Sequence, residues 1–209
     1  MTEFWNSEVT DTSWKKLQEL RKEFEFTLIG GWAVYLYTKL QKSKDIDVVV
    51  DYPVLRQLEG EYRLDKNERL HKYEIKLDIF DIDVYVPGYS RLALPAKDLL
   101  GRHSTHVEGF RVPSAEALLL LKLGAAADRL QSQKGEKDAI DILGLLFYSG
   151  ADLKKVRAIA SESRLLGHIR LLGKILDGFK KENLGYLNLN EASFSKLRKK
   201  YGIEIRANL

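Results

Sequence analysis

The sequence predicts an α+β protein, with a sheet-forming part over residues 1–112 and a helical subdomain over residues 113–209. Three observations carry this. Phe26 to Ile29, Gly30-Gly31, Trp32 to Leu40 and Asp45-Ile-Asp-Val-Val-Val50 read as strand, turn, helix and strand in immediate succession. Residues Tyr73 to Val86 alternate apolar and polar with period two, and from Pro113 onward the apolar spacing is helical. Strands gathered first and helices after is the element order of an α+β fold.

Composition bounds what such a protein does. Its 209 residues, 44% of them hydrophobic, suffice for a packed core. No stretch approaches the roughly 18 apolar residues of a membrane span, and Met-Thr-Glu-Phe-Trp-Asn lacks a signal peptide's basic-then-apolar pattern. A cytoplasmic protein with no membrane partner is expected. The absence of cysteine excludes disulfides, thiolate zinc sites and cysteine nucleophiles. A net charge of +4, from 34 basic and 30 acidic residues, is too small for a polycation that coats nucleic acid.

Taken in order, Asp11 or Thr12 caps a first helix through Trp14, Leu17 and Leu20, with Lys15, Lys16 and Lys22 on its wet side. This helix covers the edge of the sheet that begins at Phe26. The central unit follows. Along its second strand Asp45 and Asp47 point one way while Ile46 and Val48 point into the core. Two carboxylates on one face of a buried strand repel and lose hydration, so they need a compensating cation. Mg²⁺ answers that need, because it takes hard oxygen ligands and is commonly shared between carboxylates and substrate phosphates. The glycine pair at the strand-to-helix turn lets a phosphate approach the N–H groups of the helix N-terminus.

After Asp51-Tyr-Pro, which ends the strand, Val54 to Leu58 reads as a short helix and Glu61 to Leu64 as a strand. Within Tyr73 to Val86 the phase slips by one residue at Ile79-Phe80, which requires a bulge or a very tight turn. Beyond the slip Asp81 and Asp83 share a face. Pro87 to Ser90 is a turn, Pro95 opens a short helix, and Phe110 to Val112 is strand-like.

The ordered set Gly30, Gly31, Asp45 and Asp47 resembles the signature of nucleotidyltransferases of the DNA polymerase β type: an apolar residue, Gly-Gly or Gly-Ser, a short helix, then Asp-apolar-Asp on the next strand. The resemblance implies a mixed sheet flanked by helices. It also implies a third carboxylate on a neighbouring strand, assigned to Asp83 ahead of Asp81 because Asp83 lies in the longest clean run. Further implied are Mg²⁺ or Mn²⁺ held by Asp45, Asp47 and Asp83, and transfer of NMP from a nucleoside triphosphate to a hydroxyl acceptor with release of pyrophosphate. In that scheme Gly30, Gly31, Ser43 and Lys44 contact the phosphates.

The helix from Ala115 to about Leu130 is apolar nearly all round, with Lys122 in its middle. Such a lysine either reaches water or a carboxylate, with Asp141 a partner for it or for Arg129, or, as the resemblance to nucleotidyltransferases implies, it reaches the triphosphate as a point charge. Asp138 reads as a helix-start residue beside the macrodipole. The run Pro113, Leu120-Leu-Lys122-Leu, Ala126, Arg129, Lys137-Asp138 and Asp141-Ile-Leu143 resembles small prokaryotic nucleotidyltransferases that include the AbiEii-like toxins. The shorter phrase Gly-Gly-Trp-Ala-Val resembles lincosamide nucleotidyltransferases. A toxin-type enzyme would bring a cognate antitoxin protein as partner, and the acceptor classes are RNA or tRNA, protein and small molecules.

Leu153 to Ala160, Leu165 to Phe179 and a stretch capped by Asn190 and ending before Gly202 complete the helices. Lys180-Lys181 and Lys196 to Tyr201 form basic clusters that either grip an RNA backbone or are the solvated face of a helix. The alternative to an enzyme is a non-catalytic nucleotide- or RNA-binding module on the same fold.

Overall fold

The structure, a computed structural model, describes residues 3–129 and 131–207. Helix α1 (Ser7–Glu23) leads to strand β1 (Thr27–Ile29), helix α2 (Gly30–Thr38), strand β2 (Ile46–Val49) and helix α3 (Tyr52–Glu61). Strands β3 (Asp65–Asn67), β4 (Lys72–Lys76) and β5 (Asp81–Tyr85) follow, then the short helix α4 (Ala96–Leu99) and the ribbon β6 (Ser104–Val107) and β7 (Phe110–Pro113). Helices α5 (Ala115–Ala127), α6 (Gln133–Tyr148), α7 (Leu153–Glu162), α8 (Leu166–Gly178) and α9 (Glu191–Ala207) complete it, with a 3₁₀ segment at Lys181–Leu187.

The five-stranded sheet has the order β1-β2-β5-β4-β3. It is mixed: β2 and β5 run parallel while the other neighbours are antiparallel. The parallel pair arises because β5 returns to β2 only after α3 and the β3–β4 excursion, and a parallel pairing needs such a crossover. Helices flank the sheet, and β7 packs beside β1.

Several elements differ from the sequence expectation, each for a local reason. Helix α1 begins four residues before Asp11, because the Asn6 side chain accepts the Glu8 N–H at 2.8 Å and serves as N-cap. Asp11 instead pairs with Lys42 at 2.7 Å. Asp51 is an N-cap, accepting from Val54 N–H at 3.0 Å, and α3 runs on through Glu61, so no strand forms over 61–64. The phase slip is a tight turn, closed by the Leu77 N–H on the Phe80 carbonyl at 3.1 Å. Strand β6 was not anticipated; its turn uses Glu108 and Gly109 at φ of 51° and 78°, the primed-turn geometry of two-residue hairpins. Ser132 caps α6 earlier than expected, which places Asp138 inside the helix and leaves it no capping role. Helix α9 passes through Gly202 and continues to Ala207. Leu130, the expected end of α5, lies outside the described residues.

The core joins sheet and helices. Trp32 is buried, its Nε1–H donates to Ser13 Oγ of α1 at 2.9 Å, and its ring packs on Trp14. The Tyr37 hydroxyl donates to the Pro113 carbonyl at 2.8 Å. Leu118, Leu119, Leu120 and Leu123 are fully buried because α5 packs against α2, α6, α7 and α8 at once, which explains why it has no polar stripe.

Candidate active site

The parallel pairing of β2 with β5 sets Asp47 level with Asp83. Side chains at one level of neighbouring strands share a face, so the two carboxylates project together toward a cleft of about 680 Å³. Asp45 stands immediately before β2 and its Oδ1 accepts the Asp81 N–H at 3.3 Å. Asp81 thus contributes backbone there, and its side chain has no part in the cleft wall.

The glycine pair is explained by what lies over it. A Cβ on Gly30 would fall 2.0 Å from Asp47 Oδ2, and one on Gly31 would fall 2.6 Å from Ser43 Oγ. Gly30 also has φ +66°, a left-handed conformation that costs other residues about 1–2 kcal/mol. The first turn of α2 therefore lies directly against Asp47 and Ser43. No side chain caps this helix, so its leading N–H groups have no side-chain acceptor. Gly30, Gly31, Ser43, Lys44, Asp45, Asp47 and Asp83 all line the one cleft, and Ser43 Oγ donates to the Asp45 carbonyl at 3.1 Å.

Burial, with Asp45 adding to it, raises the Asp47 carboxyl above its ordinary value, against the pull of Lys122 and Lys72. Burial and the nearby Asp47 push Asp83 up to about 7. The strain is compensated on one side by Lys72 of β4, whose Nζ lies 2.6 Å from Asp83 Oδ2 and 3.0 Å from Glu74 Oε1. The other oxygen of Asp83, Oδ1, is buried without a hydrogen-bond partner. Two level carboxylates with one oxygen left over fit a divalent cation that completes its shell with water and phosphate. With Lys72 seated on Asp83, no three Asp, Glu or His side chains among the described residues are grouped to hold an ion by themselves.

The helices close the cleft with a second charged cluster. Lys122 of α5 pairs with Asp138 at 3.2 Å and Asp141 at 2.8 Å on α6. Arg129 pairs with Asp138 at 2.8 Å, and Lys137 with Asp141 at 2.5 Å. Burial opposes charge on Lys122, but Asp141 and Asp138 outweigh it and raise its pKa. Burial wins at Lys137, whose pKa is lowered despite Asp141. Asp138 titrates below its ordinary value because Lys122 and Arg129 overcome its burial. Lys122 thus meets Asp141, a partner expected for it, and also Asp138, which was not, yet it lines the same cleft as Asp47.

No protein-family model matches the chain, and no curated protein matches it in sequence. Among solved structures, JHP933 from Helicobacter pylori aligns with a TM-score of 0.50 at 14% identity, over 98% of this chain and 93% of that one. An antigenic nucleotidyltransferase-like protein from Paracoccidioides brasiliensis aligns at 0.48 and 16%, over 91% and 98%. The Megavirus polyadenylate synthase aligns at 0.44 and 14%, over 78% of this chain and 38% of that one. At 14% identity the likeness to JHP933 is one of fold alone.

Sequence reasoning missed Lys72 and the pairing of Arg129 with Asp138. Lys72 shares a strand face with Glu74, and Glu74 is the register partner of Asp83. Alternation alone would have put Lys72 beside Asp83 had the β4–β5 register been known. The basic clusters of the tail are partly neutralised: Lys180 pairs with Glu136 and Glu182, Lys181 with Glu191 and Arg198 with Asp177.

Proposed function

We propose that the protein is a nucleotidyltransferase that moves NMP from a nucleoside triphosphate to a hydroxyl acceptor. The observation that carries this reading is the pair Asp47 and Asp83, level on parallel strands, beside a helix N-terminus that two glycines open. A carboxylate pair and bare N–H groups in one cleft are complementary to a cation bridged to a polyphosphate.

In this reading Asp47 and Asp83, with Asp45 next to them, hold Mg²⁺ or Mn²⁺. The bound cation supplies positive charge at the α-phosphate and lowers the pKa of the acceptor hydroxyl. The N-terminus of α2, with Ser43 and Lys44, orients the β- and γ-phosphates. Lys122 stands behind Asp47 as a fixed positive charge, held by Asp138 and Asp141, and favours the departing pyrophosphate. The acceptor oxygen bonds to the α-phosphorus, the bond to the bridging oxygen breaks, and the acceptor proton passes to solvent.

The division at residue 112 belongs to the same proposal, with the carboxylates in the first part and Lys122 in the second. Strand β7 ends at Pro113 and Ser114 caps α5, close to that proposed boundary. A toxin-type role, with an RNA or tRNA acceptor and a cognate antitoxin, rests on the likeness of the run Pro113 to Leu143 to AbiEii-like enzymes. No described helix is long and apolar enough to cross a membrane.

One observation favours a second reading. Lys72 already neutralises Asp83, as in a nucleotide- or RNA-binding module that dispenses with metal. The deciding experiment incubates the protein with α-phosphate-labelled NTPs, Mg²⁺ or Mn²⁺, total RNA and small hydroxylated acceptors, beside Asp45→Ala/Asp47→Ala. Label that moves with the wild type and not with the double variant supports transfer and identifies the acceptor class. Nucleotide binding without metal dependence, and with no label moved, supports the module.

A further inference from the structure

The cleft has one aromatic wall that the proposed chemistry does not use. Two of its lining residues are Trp5 and Tyr85. Tyr85 is committed: it belongs to β5 and its hydroxyl donates to Asp47 Oδ1 at 3.5 Å. Trp5 is different. It lies ahead of α1, it is half-buried, and it is absent from the set of side chains packed on the core, which does include its neighbour Phe4.

This ring lies outside the core, yet its neighbours hold it in place. The Phe4 N–H donates to Gln41 Oε1 at 2.9 Å, and Gln41 Nε2 donates to the Tyr186 carbonyl at 3.0 Å. Gln41 is 2% exposed, so these bonds form in a site where either group would be costly to leave unpaired. The Phe4 ring stands edge-on to Trp5 at 5.0 Å between centroids and also packs on Tyr186 at 5.5 Å. The backbone and the neighbouring ring thus hold Trp5 in the cleft lining, and among the described residues its indole N–H donates no hydrogen bond. Trp5 lines the same cleft as Ser43 and Lys44.

We propose that Trp5 is the stacking platform for the base of the nucleoside triphosphate. This rests on the nucleotide reading above and adds to it the group that binds the base. With polar groups engaging the phosphates at Ser43, Lys44 and the α2 N-terminus, the base needs a flat apolar surface in the same cleft, and Trp5 supplies it. Stacking on an indole tolerates every base, since each has a π-face, so Trp5 contributes affinity with little choice among the four.

The test compares each of the four ribonucleoside triphosphates with inorganic tripolyphosphate, all with Mg²⁺. Calorimetry is run on wild type, Trp5→Ala, Trp5→Leu and Trp5→Phe, and tryptophan fluorescence on wild type and Trp5→Phe. Expected is that nucleotides quench wild-type fluorescence and tripolyphosphate does not, and that Trp5→Phe loses the quench while keeping nucleotide affinity within a few-fold. Trp5→Ala and Trp5→Leu should bind nucleotides about 5- to 100-fold more weakly and tripolyphosphate as well as wild type. Nucleotide affinity unchanged in both Trp5→Ala and Trp5→Leu overturns the platform and leaves the nucleotide reading intact. Equal weakening toward tripolyphosphate overturns it too, since the residue then acts on the fold of the cleft. If wild type binds neither nucleotides nor tripolyphosphate, the nucleotide reading falls and the platform falls with it.

Discussion

Asp141→Asn removes a single charge from the deepest ion cluster of the protein. The Asp141 side chain is 1% exposed and faces two lysines: Lys137, 8% exposed at 2.5 Å, and Lys122, 11% exposed at 2.8 Å. Asn conserves shape and can still accept from one ammonium, but it leaves two buried cations with Asp138 as the remaining carboxylate, already shared with Arg129. Breaking a buried pair by removing one partner costs about 3–5 kcal/mol. For a chain of this size that lowers the melting temperature by roughly 6–20 °C.

The same variant makes a signed pH prediction. Lys137 has a folded pKa below its ordinary value, chiefly through burial. The unfolded chain therefore binds more protons at this site, and stability rises with pH between the folded pKa and the unfolded value. Losing Asp141, which raises the Lys137 pKa, widens that window downward. Denaturant melts at pH 7 and pH 10 should show the Asp141→Asn deficit shrinking at the higher pH, as Lys137 sheds its proton in the folded state. A deficit under about 1 kcal/mol at pH 7 contradicts the burial argument. A deficit that does not shrink by pH 10 contradicts the role given to Lys137.

Three further outcomes follow from the cleft. Lys72→Met frees Asp83 Oδ2 from its 2.6 Å partner and leaves the carboxylates to repel. Mn²⁺ should therefore raise the melting temperature of Lys72→Met more than that of wild type, and an equal or smaller rise would show that Lys72 does not compete for the metal. Gly30→Ala places a Cβ 2.0 Å from Asp47 Oδ2 at φ +66°, so it should lose about 1–2 kcal/mol in backbone strain alone and most metal-dependent nucleotide binding, read by melts and calorimetry. Trp32→Phe removes the 2.9 Å donor to Ser13 Oγ, a change expected to cost about 1 kcal/mol in a denaturant melt without altering nucleotide affinity.

The central unit was legible because its signals are local. Apolar runs, a glycine pair and two aspartates fall within one short stretch, and each follows from period and backbone freedom. Asp83 was reachable by the same route, since alternation in Ile-Asp-Val-Tyr-Val puts it on the polar face, and the parallel register then set it beside Asp47. Where the reading failed, the deciding contact was remote or competed with an equal local signal. Asn6, Asp11 and Thr12 all resemble caps, and Asp11 lost because it pairs with Lys42, 31 residues away. The β6–β7 hairpin was missed because Glu108 takes a positive φ that its residue type does not announce. Lys72 depended on a register, and Trp5 on a tether through Gln41 to Tyr186, 145 residues away; no pattern in sequence encodes either.

In the proposed reading, the charges of the cleft bear on what it would admit. Its wall carries seven Lys and Arg against six Asp, so it is close to neutral before anything binds. Part of the positive charge is tied up with Asp138 and Asp141, and Lys72 sits on Asp83. A free divalent cation entering here is drawn by Asp45 and Asp47 but repelled by Lys72, Lys122 and Arg129. A triphosphate alone meets the reverse, drawn by Lys44, Lys122 and the α2 N-terminus and repelled by the carboxylates. Under the proposed nucleotidyltransferase reading, only the two together would meet opposite charge throughout the cleft, so the wall would favour the metal–nucleotide complex over either component. The helices complete that selection, because Lys122 and Arg129 of the helical part answer Asp47 of the sheet.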